Sequence, residues 1–234
     1  EEERKAISNE LILRNQVLEE FSYSVSHNLR SPLANILGLC DMIERKIKDG
    51  KLDLVPVKML SESSKRLDSI LRDLNTLLNY DKKLNALKTP LQLDDIAKET
   101  WEIYREKCEF LEGRFTWDFS GTGTVHLVKP YMDNIFQNML SNSLKYMRPG
   151  IPPQIHFKGE LKDGVLVLEF SDNGLGIDLA KNRSKLFGIY QRFNPKAAEG
   201  NGLGLYLIRL QVEKMKGHID VQSELNAGTT FTIS

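Results

Sequence analysis

The first part of the chain has apolar residues at helical intervals. One face of a helix is marked by Phe21, Val25, Leu29, Leu33 and Ile36. A heptad-like seam precedes this face and has one polar interruption, at Arg14. The pattern predicts one long helix from residue 1 to about residue 48. Asp49-Gly50 is a stop signal, and Pro56 suits the first turn of a second helix.

The second predicted helix has the more regular pattern. A strict three-four alternation runs through Val57, Leu60, Ser64, Leu67, Leu71, Leu74 and Leu78. Both helices also carry flanking apolar residues, so a lone hairpin cannot cover its own apolar surface. Two hairpins paired in a four-helix bundle would cover it, and we therefore predict a homodimer. The alternative is a hairpin that packs on its own second domain.

From Lys88 onward, strand-like and helical patterns are mixed. Strands are expected at residues 91–93, 115–119, 154–161, 165–171, 218–224 and 229–233, and helices at 94–108, 129–146 and 203–216. We expect Asp94-Asp95 to cap the first of these helices and Gly121-Thr-Gly123 to form a hairpin turn. Because helices and strands do not alternate regularly, an α/β sandwich is favoured over a doubly wound sheet. The predicted fold class is thus α+β, with a helical hairpin at residues 1–86 and a sandwich domain at 87–234.

Composition narrows the class of protein. A length of 234 residues suits one or two domains, and 32 acidic residues balance 32 basic ones. This balance gives no net field that would favour nucleic acid or an anionic membrane as a partner. Cys40 and Cys108 have no metal or redox spacing, and no apolar run approaches the roughly 20 residues that span a bilayer. We expect a cytoplasmic fragment without membrane contact, cut from a longer protein that could itself be membrane-attached.

His27 lies on the polar side of the first predicted helix. At about 100° per residue it is roughly 200° from both Val25 and Leu29, so it should point to solvent. Pro32 follows inside the helix, where it removes a hydrogen bond and tends to kink the chain. An exposed imidazole just before a helix break is accessible and locally adjustable. A surface histidine without a role would have the same exposure.

Two glycine clusters lie far downstream, Asp172-Asn-Gly174-Leu-Gly176 and Gly200-Asn-Gly202-Leu-Gly204-Leu205. Neither fits the P-loop or the Rossmann fingerprint. The second cluster opens the helix predicted at 203–216, where glycines let phosphate oxygens approach backbone N–H groups at the positive helix end. Simple flexible turns would explain one cluster more readily than both.

Polar residues near these clusters have the pattern of a binding site. Asp172 directly follows an apolar strand, and a carboxylate at a strand end can accept a hydrogen bond from an exocyclic amine. One face of the helix at 129–146 carries Asn138, Asn142, Lys145 and Tyr146. Asparagine has poor propensity for a helix interior, so two on one face favour a binding role over a merely solvated surface.

Taken together, these motifs resemble the catalytic core of a two-component sensor histidine kinase. The H-box would surround His27, the N-box would be residues 138–146, and the glycine clusters would be the two G-boxes, with an F-box and ATP lid between them at about 179–199. The resemblance covers nearly the whole chain in the family's order. It implies a hairpin for dimerisation and histidine phosphotransfer, followed by an ATP-binding domain of the Bergerat or GHKL type.

The resemblance also implies roles for single residues in binding ATP and Mg²⁺. Asp172 would bind the adenine amino group, and Gly174 and Gly176 would let the base approach the backbone. Asn142 would supply an oxygen to Mg²⁺, which needs few protein ligands. Further nucleotide contacts are implied for Asn138, Lys145, Tyr146, Arg192, Gly200, Gly202, Gly204 and Leu205.

The implied mechanism is phosphoryl transfer from Mg-ATP to His27, then to an aspartate in the receiver domain of a response regulator. Asn28 departs from the family, which usually has Glu or Asp directly after the histidine. Ser31 stands where Thr or Asn often serves dephosphorylation of the partner, so phosphatase activity stays open. Two alternatives remain: an ATPase related to gyrase or mismatch-repair proteins, and a catalytically weak or phosphatase-biased dimeric scaffold that binds nucleotide.

Overall fold

The computed structural model describes residues 25–26, 28–49, 54–78, 88–189 and 202–234, without the side chains at 69 and 72–78. The chain divides into two compact units, Glu1–Lys82 and Lys83–Ser234. The predicted domain boundary between residues 86 and 87 lies outside the described residues and stays a prediction.

The first unit contains two helices, α1 over residues 28–48 and α2 over Leu54–Leu78. Pro56 lies in the first turn of α2, as predicted, where a missing N–H breaks no helical hydrogen bond. Pro32 is buried, and α1 continues on both sides of it.

The apolar surface of this hairpin is only partly covered. Leu33 was predicted to share a buried face with Leu29 and Ile36, but it is 47% exposed. The reason is geometric: two helices bury only the stripe where they face each other, and the neighbouring stripe stays in solvent. The other exposed large apolar residues of the two helices are Leu37, Met42, Ile47, Leu54, Val55, Val57, Met59 and Leu71.

The second unit mixes helices and strands. Its strands are β1 (Thr89–Gln92), β2 (Arg114–Gly121), β3 (Thr124–Leu127), β4 (Gln154–Lys162), β5 (Val165–Asp172), β6 (Ile219–Glu224) and β7 (Gly228–Ile233). Its helices are α3 (Leu93–Phe110), α4 (Lys129–Lys145), the short α5 (Leu179–Asn182) with a 3₁₀ turn at Arg183–Lys185, and α6 (Gly204–Lys214).

Five strands form the main sheet in the order β2-β4-β5-β7-β6, and β1 pairs with β3 in a separate two-stranded sheet. Only the β2–β4 pairing in the main sheet is parallel. The hairpin predicted at Gly121-Thr-Gly123 is therefore wrong. Its flanking strands, β2 and β3, belong to different sheets, and the turn carries the chain from one sheet to the other.

The core lies between one face of the main sheet and the helices α3, α4 and α6. Along β4 the side chains alternate, with Ile155 and Phe157 buried and Gln154 and His156 exposed. Phe136 of α4 packs edge-on against Phe157, with ring centroids 5.6 Å apart. Burial of alternate strand residues under amphipathic helices is the physical basis of a sandwich, and it confirms the predicted α+β class.

The start of α3 differs from the prediction. Gln92 is the N-cap residue, and no side-chain hydrogen bond caps the helix. Asp94 and Asp95 lie inside the first turn, where negative charge favours the helix dipole. Asp94 Oδ1 instead accepts a hydrogen bond from Nε1 of Trp117 at 3.1 Å, which ties α3 to β2.

Candidate functional site

Asp172 is the last residue of β5, and its carboxylate is held at both oxygens. The Gly174 N–H donates to Oδ1 at 2.8 Å, and the Ser143 hydroxyl donates to Oδ2 at 3.2 Å. Burial raises the pKa of the Asp172 carboxyl, while these donors and a backbone hydrogen bond from Thr229 act in the opposite direction. The side chain is therefore a half-buried, oriented carboxylate at a strand end. Its predicted role as the acceptor of an exocyclic amine stays a prediction.

The segment that follows, residues 172–177, is here called the Asp172 loop. A Cβ at Gly174 would lie 2.6 Å from the carbonyl oxygen of Tyr146. Gly176 has a φ of 67°, and a Cβ there would lie 1.9 Å from the carbonyl oxygen of Glu224. Both glycines are thus explained by the close approach of the protein's own backbone. Their predicted role in admitting a base stays a prediction.

Backbone hydrogen bonds hold the Asp172 loop on both sides. The Leu175 N–H donates to the carbonyl of Tyr146, at the end of α4, at 2.8 Å. The Leu175 carbonyl accepts from the N–H of Asn226, in the turn between β6 and β7, at 2.8 Å. The loop therefore lies between the C-terminal end of α4 and the β6–β7 turn.

The asparagine-bearing face of α4 meets the start of α6. Asn138 Nδ2 donates to the Asn134 carbonyl at 2.9 Å, so the amide nitrogen is engaged within the helix. Its Oδ1 lies on the other side, 2.6 Å from where a Cβ of Gly204 would be. Gly204 is the first residue of α6. A glycine is needed here because any larger residue would displace the asparagine side chain.

The second glycine cluster begins a helix, as predicted, one residue later than expected. Leu203 is the N-cap residue and is fully buried, which anchors the start of α6 in the core. Gly202 has a φ of 69°, a left-handed conformation that favours glycine. Leu205 is half-buried. The start of α6 therefore lies next to Oδ1 of Asn138. The first N–H groups of a helix have no acceptor within the helix, and a helix N-terminus is suited to an anion.

The remaining predicted site residues fall into three groups. Asn142, Lys145 and Tyr146 are half-buried on or just after α4, on the same side of the domain as Asn138. Asn28 is half-buried and Ser31 exposed on α1, in the other unit. His27, Arg192 and Gly200 lie outside the described residues.

Sequence reasoning missed two residues of this region, Ser143 and Arg148. Ser143 is buried and sits four residues after Met139 on the apolar face of α4. A hydroxyl on such a face needs a hydrogen-bond partner, and that was the available signal. Arg148 Nε donates to the Asn173 carbonyl at 2.8 Å, a contact that no local pattern indicates.

The role predicted for Asn142, an oxygen ligand of Mg²⁺, stays a prediction. An amide oxygen is a hard ligand of the kind Mg²⁺ prefers, and the ion completes its shell with water and phosphate oxygens. No group of three or more His, Cys, Asp or Glu residues in the described part of the chain could hold a metal ion. Among the same residues, no helix is long and apolar enough to cross a membrane.

Two family models match the chain in succession. Residues 17–82 match the His Kinase A (phospho-acceptor) domain. Residues 128–234 match the histidine kinase-, DNA gyrase B-, and HSP90-like ATPase. The order of the two matches is the order of the two predicted domains.

Whole-chain similarities agree with these matches. The chain is 30% identical to the autoinducer 2 sensor kinase/phosphatase LuxQ of Vibrio vulnificus over 233 residues, which is 92% of this chain and 26% of LuxQ. The chain thus spans about a quarter of the length of such curated relatives.

Two solved structures share the fold. The histidine kinase AdeS of Acinetobacter baumannii superposes with a TM-score of 0.70 at 20% identity, covering 88% of this chain and 95% of that one. The histidine kinase ThkA, solved in complex with the response regulator protein TrrA, gives a TM-score of 0.73 at 18% identity, covering 94% of this chain and 62% of the other. The chain therefore belongs to the ATP-dependent protein-histidine kinases and forms the catalytic core of a two-component sensor histidine kinase.

Proposed function

We propose that this chain uses Mg-ATP to phosphorylate His27 and then passes the phosphate to an aspartate in the receiver domain of a response regulator. The observation that carries this proposal is the half-buried Asp172 carboxylate, held by Gly174 and Ser143 beside the asparagine helix α4. Asp172 is the last residue of β5, so the sheet sets the position of the carboxylate that recognises the nucleotide in this proposal.

In this proposal, Asp172 recognises the adenine base of ATP. Its oxygens accept hydrogen bonds from Gly174, Ser143 and the backbone of Thr229, and an ionised carboxylate has about four lone-pair sites, so capacity remains for the amino group of adenine. Gly174 and Ser143 fix the direction in which that remaining capacity points. A guanine would present an oxygen at the same place and would be repelled by the carboxylate.

Asn142, Lys145 and the start of α6 serve the phosphates. Magnesium, when bound through Asn142, offsets negative charge on the phosphates during transfer. Asn138 presents its Oδ1 at the first residue of α6, because its Nδ2 is bonded to Asn134. Lys145 supplies a positive charge on the same helix face as Asn142. We further propose that Arg192 and Gly200 complete this phosphate site.

At His27, the neutral imidazole attacks through Nε2. The bond from Nε2 to the γ-phosphorus forms as the bond from that phosphorus to the leaving ADP oxygen breaks, and the Nδ1 proton of the ring must then be released. Asn28 can orient the imidazole but cannot accept this proton as a carboxylate would. We therefore propose slow autophosphorylation.

The proposal also includes dephosphorylation of the response regulator. Ser31 is exposed on α1, four residues after His27, and its hydroxyl can position water for hydrolysis of the regulator's phosphate. The similar protein LuxQ is named a sensor kinase/phosphatase, which supports a dual activity. The solved complex of ThkA with TrrA supports a receiver domain as the partner.

The hairpin serves dimerisation in this proposal. Its apolar side chains Leu37, Val57 and Leu71 are 59%, 44% and 45% exposed in the single chain. Burying such a stripe against a second hairpin completes a four-helix bundle. The match to the His Kinase A domain over residues 17–82 supports this arrangement.

The test is incubation with γ-labelled Mg-ATP, comparing the chain with His27→Gln and, as a matched control, His126→Gln in β3. We expect label that is lost in acid and kept in base, present in the control and absent from His27→Gln. A chain that binds ATP yet takes up no label would instead support the alternative, a nucleotide-binding scaffold or phosphatase-biased sensor. Label that persists in His27→Gln would contradict the proposed acceptor.

A further inference from the structure

Arg148 makes two hydrogen bonds that join distant parts of the ATPase unit. It follows α4 by three residues and is half-buried. Its Nε donates to the carbonyl of Asn173 at 2.8 Å, and its Nη1 donates to the carbonyl of Asn226 at 2.6 Å. The planar guanidinium donates to these two acceptors from two nitrogens held at a fixed separation, whereas an ammonium has only one nitrogen.

The Asn173 carbonyl is chemically coupled to Asp172. The C=O of Asn173 and the N–H of Gly174 belong to one planar peptide group. Arg148 holds the oxygen end of that group, and Asp172 Oδ1 accepts from the nitrogen end. Donation to the oxygen polarises the peptide and strengthens the hydrogen bond at the nitrogen. Any tilt of this peptide would also tilt the carboxylate.

The second acceptor fixes the opposite side of the Asp172 loop. Asn226 has a φ of 60° in the β6–β7 turn, and its N–H donates to the Leu175 carbonyl. One guanidinium therefore ties the end of α4, the Asp172 loop and the β6–β7 turn together.

We propose that Arg148 is a positioning residue for adenine recognition: it locks the Asn173–Gly174 peptide so that the Asp172 carboxylate points at the exocyclic amine. This rests on the proposed binding of ATP at Asp172. Arg148 acts through the peptide and through Asp172, without touching the nucleotide.

Other contacts keep the loop in place when Arg148 is changed. The Leu175 N–H still donates to the Tyr146 carbonyl, and the Asn173 side chain still accepts from the Gln154 N–H at 2.9 Å and donates to the Pro152 carbonyl at 3.1 Å. Loss of the guanidinium should thus alter the orientation of one peptide rather than unfold the domain.

The experiment compares the full chain with Arg148→Met, Arg148→Lys and a control, Arg105→Met, which removes an exposed ion pair to Glu102 on α3. Dissociation constants are measured by calorimetry for ADP and for inosine diphosphate, which carries an oxygen in place of the exocyclic amine. We expect Arg148→Met to weaken ADP binding about tenfold and to leave inosine diphosphate nearly unchanged, so that the preference for ADP falls. Arg148→Lys should be intermediate, and Arg105→Met should behave as the unchanged chain does.

The outcomes separate the two levels of the proposal. Equal weakening of the binding of both nucleotides, or no change in either dissociation constant, would show that Arg148 only stabilises the structure and does not position Asp172 for adenine recognition. If the unchanged chain binds neither nucleotide, the proposed ATP site fails and this inference fails with it. If Arg148→Met melts before it can be titrated, Arg148→Lys, which keeps the charge but has a single donor nitrogen, provides the same comparison.

Discussion

The hydroxyl of Ser143 lies between two acceptors, 3.2 Å from Oδ2 of Asp172 and 3.1 Å from the carbonyl oxygen of Met139. A hydroxyl has one proton, so it donates fully to only one of them at a time. Ser143 can therefore turn away from Asp172 and still be satisfied inside α4. We therefore expect the Ser143 hydroxyl to turn to the Met139 carbonyl when a neutral side chain replaces Asp172.

This relationship predicts that Asp172→Asn abolishes ADP binding without lowering the stability of the fold. The Asn amide oxygen would still accept from the Gly174 N–H, and its nitrogen would donate to Ser143, whose own proton turns to Met139. Removing a buried charge should leave the melting temperature unchanged or raise it. Loss of the acceptor for the adenine amine should abolish measurable ADP binding in calorimetry. A melting temperature that falls by several degrees would contradict this account of Ser143.

Nucleotide affinity should also depend on pH in mild acid. Because burial raises the pKa of Asp172, its carboxylate is protonated at a higher pH than an exposed aspartate would be. ADP binding should weaken as pH falls through that raised pKa. The dissociation constant for ADP should be measured as a function of pH in His27→Gln, so that titration of the His27 imidazole does not contribute to the result.

As pH falls, the contribution of Asp172 to the free energy of unfolding should increase, whereas ADP affinity should decrease. The folded state binds this proton more readily than the unfolded chain, whose aspartate has an ordinary pKa of about 3.9. The contribution of Asp172 to stability therefore rises as pH falls from the raised pKa towards the ordinary one. Asp172→Asn should remove this component from the pH dependence of the melting temperature.

Gly176→Ala should destabilise the ATPase unit by about 2 kcal/mol or more, because it combines a positive φ with a Cβ 1.9 Å from the Glu224 carbonyl oxygen. Both tryptophans, Trp101 and Trp117, lie in that unit, so the urea transition in their fluorescence reports it alone.

The control for this change is Gly38→Ala on α1. No atom lies within 4 Å of a Cβ at Gly38, and alanine in a helix is favoured over glycine by roughly 0.5–1 kcal/mol. The tryptophan transition should stay where it is while helical circular dichroism of the hairpin becomes more resistant to urea. Equal effects of both substitutions on the fluorescence would show that the contact at Gly176 is unimportant.

Asn28→Asp should raise the rate of autophosphorylation about tenfold or more, because general base catalysis typically contributes about 10²–10⁴-fold. A carboxylate beside His27 can accept the Nδ1 proton, which the amide cannot. Asn35→Asp, an exposed change on the same helix, adds the same charge elsewhere and should leave the rate alone. An unchanged rate in Asn28→Asp, with the fold intact, would remove this explanation of slow chemistry.

Leu37→Glu should turn a dimer into a monomer. The side chain is 59% exposed on the single hairpin and would be buried in a four-helix bundle, where an unpaired charge costs several kcal/mol. Leu161→Glu tests the general effect of such a change, because Leu161 is 52% exposed at the end of β4 in the other unit. Sedimentation equilibrium should give a monomer mass only for Leu37→Glu. A monomer in the unchanged chain would contradict the proposed dimer.

Local patterns in the sequence determined most of the helices and strands. Strands were expected at residues 154–161 and 165–171, and β4 and β5 form there, as an antiparallel pair. Asp172 was expected directly after an apolar strand, and it is the last residue of β5. Such features depend on side chains within a few residues of one another, so periodicity and turn chemistry report them directly.

Tertiary structure alone decided which segments meet. Gly121 and Gly123 suit a hairpin, yet β2 pairs with β4 and β3 with β1, because each short strand pairs where its apolar face is buried. Gly204 lies against Asn138, and Arg148 reaches the carbonyl of Asn226, 78 positions further along the chain. Backbone carbonyls carry no residue identity, so a contact to one leaves no trace in a sequence pattern. The sequence by itself therefore supplied the chemical groups of the site, while their mutual orientation arose only when the sheet and helices packed into one core.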